Sequence, residues 1–194
     1  PSQSRLVRWS EIGSFDFLGQ TATTRKNEAG EWYLPYDDKE IVMRVLPMET
    51  GVVVYGSLGI WAMFPVASPS ATWGFKRIWD YGIANPLAAG GHHKRHLAVD
   101  RRGELLSIGE DFNVQRLGYS EFFSAIQTSV SIATSSDIIS VQHNPWEDEW
   151  YIGSDEKQYI YREGGMTDAA KAWKWREGAL TETVRRITSM VNLQ

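Results

Sequence analysis

Apolar positions along this chain come in short runs, each broken by Gly, Pro, Asp, Asn or Ser, and few of them follow a helical period. Short runs bounded by turn residues are the mark of strands and tight turns. Three segments repeat one pattern of strand, polar turn, strand. The first is Val52-Val-Val-Tyr55, Gly56-Ser-Leu-Gly59, Ile60-Trp-Ala-Met63. The second is Leu97-Ala-Val99, Asp100-Arg-Arg-Gly103, Glu104-Leu-Leu-Ser-Ile108. The third is Trp150-Tyr-Ile152, Gly153-Ser-Asp-Glu-Lys157, Gln158-Tyr-Ile-Tyr161. A weaker fourth copy is Glu31-Trp-Tyr-Leu34, Pro35-Tyr-Asp-Asp-Lys39, Glu40-Ile-Val-Met-Arg-Val45. Gly59 and Gly103 are placed to supply the positive φ that closes a short hairpin. Gly59, Gly103 and Asp155 are 44 and 52 residues apart, close to the roughly 40–50 residues of one four-stranded propeller blade. Further strands are expected over residues 73–79, 113–117 and 136–141, and loops over 67–72, 85–91 and 164–165.

The strands are apolar on both faces. Leu58, Ile60, Ala62 and Phe64 point one way, and Trp61 and Met63 the other. Such a strand belongs between two layers. Sheets stacked about 10 Å apart, as neighbouring blades are, provide that setting, and so does a sandwich. The expected fold is therefore all-β, with propeller-like blades of antiparallel strands, and a β-sandwich is the alternative. Residues 1–50 read as a strand-rich N-terminal segment and 51–166 as the repeat region. Residues 167–194 read as a segment packing on or linking the blades. Thr167 or Asp168 can cap a short helix over residues 167–175, with a strand through Trp173 and Trp175 as its rival.

Composition narrows the chemistry. The chain has 194 residues, a net charge of −4 and no Cys. Disulfide scaffolds, thiolate zinc sites and Cys nucleophiles are excluded, and a strongly basic nucleic-acid surface is not expected. No apolar run is long enough for a membrane helix, and the polar opening Pro1-Ser-Gln-Ser-Arg5 does not read as a signal peptide. Nine Trp and 17 Gly are the unusual counts.

The densest chemical signal is His92-His93-Lys94-Arg95-His96, directly after Gly90-Gly91. It reads as a solvated loop, as a phosphate-contacting loop, or as a metal site. In a strand His92 and His96 share a face, which supplies only two His ligands. Arg101 and Arg102 are further basic candidates for contact with DNA or a partner. Glu147-Asp148-Glu149 are adjacent in a turn, whereas glycoside hydrolysis needs two carboxylates that straddle a substrate. Asp37-Asp38 and Asp155-Glu156 lack calcium-loop spacing. Ser120 lacks the second Gly of a nucleophile elbow, and no glycine-rich phosphate cradle is present. No catalytic residue, metal or cofactor is expected. Trp61, Trp73, Trp79, Trp150, Trp173 and Trp175 read as core or subunit-interface residues. Trp9, Trp32 and Trp146 lie nearer edges and loops and are candidates for a subunit interface.

Several stretches together have a familiar form: Gly59-Ile-Trp-Ala-Met-Phe-Pro65, Gly82-Ile-Ala-Asn-Pro86, Val99-Asp-Arg-Arg-Gly-Glu-Leu-Leu-Ser-Ile108, Tyr119-Ser-Glu-Phe-Phe123 and His143-Asn-Pro-Trp-Glu-Asp-Glu-Trp-Tyr-Ile152. Over about residues 50–166 they resemble the propeller-like repeats of tail nozzle or hub proteins of short-tailed bacteriophages, including the packaged-DNA stabilisation type. The resemblance implies a structural virion protein without catalysis, located in the tail. It implies a homo-oligomeric ring around the DNA channel, joined to other tail or head–tail connector proteins. Genomic DNA would pass through the lumen without sequence specificity, and no membrane is involved. The chain has room for three or four blades, so either neighbouring copies supply the missing sheets or the chain is a small tail or head–tail joining component that shares the repeat. A net acidic wall suits sliding DNA, because tight phosphate binding would hinder passage. The alternative function is a carbohydrate-binding β module of lectin or adhesin type, which needs several Trp exposed on one face.

Overall fold

The computed structural model describes residues 5–10, 30–35, 39–66, 72–120, 138–153, 158–162 and 165–168. The fold is all-β and antiparallel. A hairpin of β1 (Leu6–Trp9) and β2 (Gly30–Tyr33) precedes three four-stranded sheets. The first sheet runs in order through β3 (Val42–Met48), β4 (Gly51–Gly56), β5 (Ile60–Val66) and β6 (Thr72–Trp79). The second runs through β7 (Ala89–His92), β8 (Arg95–Val99), β9 (Leu105–Gly109) and β10 (Val114–Gly118). The third runs through β11 (Ser140–Asn144), β12 (Glu149–Gly153), β13 (Gln158–Arg162) and β14 (Gly165–Asp168). Each sheet is a meander whose neighbours in space are neighbours in sequence.

The three clearest hairpins of the sequence form as the alternation requires. Val54 pairs with Trp61, Ala98 with Leu106, and Tyr151 with Ile160. The turn of the second hairpin is locked by Asp100, which is fully buried. Its Oδ1 accepts from the backbone N–H groups of Arg102 and Glu104, at 2.8 and 3.0 Å. Its Oδ2 accepts from the Trp79 indole at 3.1 Å. Gly103 takes φ 82° there, a value other residues rarely adopt. Gly59 is not in that region. Its reason is space, since a Cβ would come within 2.9 Å of the Arg77 guanidinium.

Four expectations change. The fourth hairpin does not form: β2 pairs with β1, and β3 pairs with β4. Strand β2 lies across the face of the first sheet, because Leu34, the residue after it, and the ring of Trp32 bury against Val54, Trp61 and Met63. The first sheet starts at Val42, ahead of residue 51. Gly90 and Gly91, expected in a loop, are inside β7. Thr167 and Asp168 extend β14 instead of capping a helix; the remainder of that helix or strand segment lies outside the described residues, as do Asp37, Asp38, Asp155 and Glu156.

Packing follows from the two-faced strands. Within the second sheet, alternation turns His96, Ala98, Leu106 and Ile108 toward the first sheet and Leu97, Val99 and Leu105 toward the third. All seven are buried. One core therefore runs through all three sheets, from Val53, Tyr55 and Ile60 to Val141, Trp150 and Ile152. Each large side chain buried there contributes about 1.5–3 kcal/mol. The outer face of the first sheet has a separate cluster beneath the β1–β2 hairpin, where Trp32 stacks on Phe75 at 3.9 Å.

The first strands of the three sheets lie side by side, with β7 between β3 and β11. The Val141 amide donates to the Leu87 carbonyl at 2.9 Å, and the Glu49 amide to the His93 carbonyl at 2.7 Å. These three strands run in the same direction, so their C-terminal ends come together at one end of the molecule.

Candidate functional site

That convergence builds the most chemically dense corner of the protein. It begins with Gly90. A Cβ at this position would run into the carbonyl oxygen of Val141, so its absence lets the β7 backbone touch β11. Two residues further along each strand, the rings of His92 and His143 lie 4.6 Å apart. His143 is the cross-strand partner of Trp150 and packs on its ring at 4.6 Å. Trp150 is almost wholly buried, and it forms the floor of the corner.

The β11–β12 turn adds a carboxylate. Asp148 is held at φ 49°, a conformation that Asp and Asn tolerate better than most residues. The Asn144 side chain accepts from the Trp146 amide at 3.1 Å and helps to fix the turn. Asp148 Oδ1 lies 3.0 Å from Nε2 of His143. That contact holds the Asp148 carboxyl below its usual range. Burial, followed by the neighbouring His143, lowers the proton affinity of His92. One ligand-type atom from each of His92, His143 and Asp148 lies within 4.8 Å of the other two.

The other histidine of the run has a different place. His96 is buried between the first two sheets. Its Nδ1 accepts from the Tyr55 hydroxyl at 3.0 Å, and its Nε2 donates to the Pro47 carbonyl at 3.0 Å. Burial pushes its pKa down to about 4 and raises that of Tyr55 well above its usual value. His96 is a neutral core residue that ties the two sheets.

The structure divides the six basic and imidazole candidates between two ends. His92, His93, Lys94 and Arg95 occupy the β7–β8 end. Arg101 and Arg102 occupy the β8–β9 turn, roughly 20 Å away along the strand at about 3.3 Å per residue. Arg95 donates to Ser107 and lies over the Tyr161 ring, so its charge turns toward the third sheet. Arg101 donates to the Ser57 carbonyl. Arg102 pairs with Asp100 and stacks on Tyr81 at 3.6 Å. A shallow cleft beside Arg101 is lined by Ser57, Arg77, Asp80 and Tyr81. Arg77 is already engaged there by the carbonyls of Leu58 and Asp80.

The acidic and aromatic candidates also separate. Glu149 is fully buried, paired with Arg162, and accepts from the Tyr151 hydroxyl at 3.2 Å. Asp148 points to the histidines, so the two side chains do not face each other across a cleft. Trp9 and Trp32 are half-buried between the hairpin and the first sheet. Trp146 is 71% exposed at the β11–β12 turn.

His143 and Asp148 are the functional candidates the sequence reading passed over. Each was visible as a residue type, but 51 positions separate His92 from His143, and only the packing of β7 on β11 joins them. No protein-family model matches the chain, and no curated protein matches it.

Proposed function

We propose that this chain is a structural, non-catalytic component of a bacteriophage tail, of nozzle or hub type, whose copies assemble as a ring around the DNA channel. The observation that carries the reading is the gathering of β3, β7 and β11, with one four-stranded meander behind each. Propeller blades also place the first strand of each meander innermost, so this packing supports a blade-like reading. The described residues supply three such meanders and one two-stranded sheet, too few to close a circle, and in this reading neighbouring copies complete it. The resemblance of residues 50–166 to nozzle repeats points the same way.

The electrostatics are compatible with a conduit. Lys94, Arg101 and Arg102 are scattered cations on an acidic chain, and Arg102 is paired with Asp100. They can position a phosphate backbone without holding it. Other tail proteins would meet the ring at its two faces. The test is the state of purified full-length protein, by analytical ultracentrifugation and negative-stain imaging. Closed rings are expected, and a strict monomer at high concentration rules the reading out. Quenching and a spectral shift of Trp fluorescence on adding glycans would instead favour the carbohydrate-binding alternative, with Trp146 as the contact.

A further inference from the structure

We propose that His92, His143 and Asp148 form a binding site for a zinc-class divalent cation that clips the second sheet to the third. The proposal rests on the corner alone and stands whether or not the chain belongs to a phage tail. Zinc bound at about 2.0–2.2 Å in a tetrahedron spaces its ligand atoms about 3.3–3.6 Å apart. His143 Nε2 and Asp148 Oδ1, at 3.0 Å, are already near that spacing. The third atom, on His92, is within 4.8 Å of both. It has at most about 1.5 Å to close, a distance that rotation of a half-buried ring covers.

The ligand set chooses the metal class. Two imidazole nitrogens and one carboxylate oxygen suit zinc and its first-row neighbours, whereas calcium and magnesium take oxygen ligands. The supports are packed in place. Gly90 sets the distance between β7 and β11, the buried Trp150 ring backs His143, and the turn fixes Asp148. The Lys94 amide approaches Nδ1 of His92 at 3.4 Å, a long contact that a metal displaces readily. The cations Lys94 and Arg95 oppose binding, but Arg95 is drawn toward Ser107 and Tyr161. Glu147 and Asp148 bring negative charge to the same turn. Asp148 is exposed, so the fourth position opens to water. Such a three-ligand site exchanges its metal and differs from a closed structural centre.

The test uses the full-length chain after dialysis against EDTA. Zinc chloride is titrated by calorimetry, and cobalt chloride is followed by visible absorption. One-to-one zinc binding of micromolar affinity or tighter is expected, with the absorption of a four-coordinate cobalt centre. Asp148→Asn keeps a residue that tolerates the turn geometry, and its circular dichroism is expected to match the parent's. It weakens zinc by at least the roughly 10-fold that losing even an outer-shell partner costs. His92→Gln does the same. Zinc raises the thermal midpoint of the parent more than that of either variant. Absence of saturable binding by the parent, or equal zinc affinity in parent and both variants, overturns the proposal. The His143–Asp148 contact is then an ordinary hydrogen bond that holds the turn.

Discussion

Two buried ionisable side chains hold opposite sides of the first sheet, and they predict opposite responses to pH. His96 is neutral in the fold, with a pKa near 4 against the ordinary 6.5. A depressed His pKa means that the unfolded chain binds the proton first. The stability it supports is intact above pH 6.5 and is lost as pH falls toward 4, by up to about 1.4 kcal/mol per pH unit. His96→Gln keeps a donor and an acceptor for Pro47 and Tyr55 but does not titrate there. Its unfolding free energy is expected to fall less steeply over that window, by about 3 kcal/mol in total. Identical slopes in denaturant titrations of parent and variant would refute this account. Glu40 behaves in the reverse sense. It is 1% exposed, Oε1 accepts from the Trp61 indole at 3.4 Å, and Oε2 has no hydrogen-bond partner. Burial raises its pKa against the opposing pull of Trp61 and Arg77. A raised carboxyl pKa favours the protonated fold, so this contribution fades as pH rises. Glu40→Gln is expected to equal or exceed the parent in thermal midpoint at pH 7–8, with the gap closing toward acid. A lower midpoint at pH 8 would show that the carboxylate is needed charged.

At the scale of elements, the backbone approach of β7 to β11 is the critical joint. Gly90 has no room for a side chain because the obstacle is backbone, the Val141 carbonyl. Gly90→Ala must push the two strands apart and is expected to cost about 1–3 kcal/mol. The same shift parts His92 from His143. Chemical denaturation measures the loss, and a change under about 0.5 kcal/mol would mean that the joint yields freely. The three main hairpins were legible in the sequence because period-2 alternation and turn residues are local signals. Val52, Leu97 and Trp150 each open a run whose pairing needs no distant information. Strand β7 was not legible. Ala-Gly-Gly-His has poor strand propensity and is held extended by β8 on one edge and by β11 beside it. The pairing of β2 was misread for a related reason. Its run is short, and burial of Leu34 and Trp32 on the first sheet outweighs a hairpin to the next strand in sequence.

For the molecule as a whole, the β1–β2 hairpin is a lid over apolar surface. Trp61, Met63, Trp73 and Phe75 lie in the cluster beneath it. A chain lacking residues 1–34 is expected to expose that face, bind a hydrophobic dye strongly and self-associate. A truncated protein that remains monomeric, with no dye binding, would show that the hairpin is dispensable. The sequence by itself determined the all-β class, the main hairpins and the need for layers on both sides of each sheet, since these follow from alternation and turn chemistry within a few residues. Only the tertiary structure decided that β7 lies between β3 and β11, that His96 is core while His92 is not, and that His143 and Asp148 join His92. Those outcomes depend on contacts between residues about 40 to 60 positions apart, and no local pattern carries information over that separation.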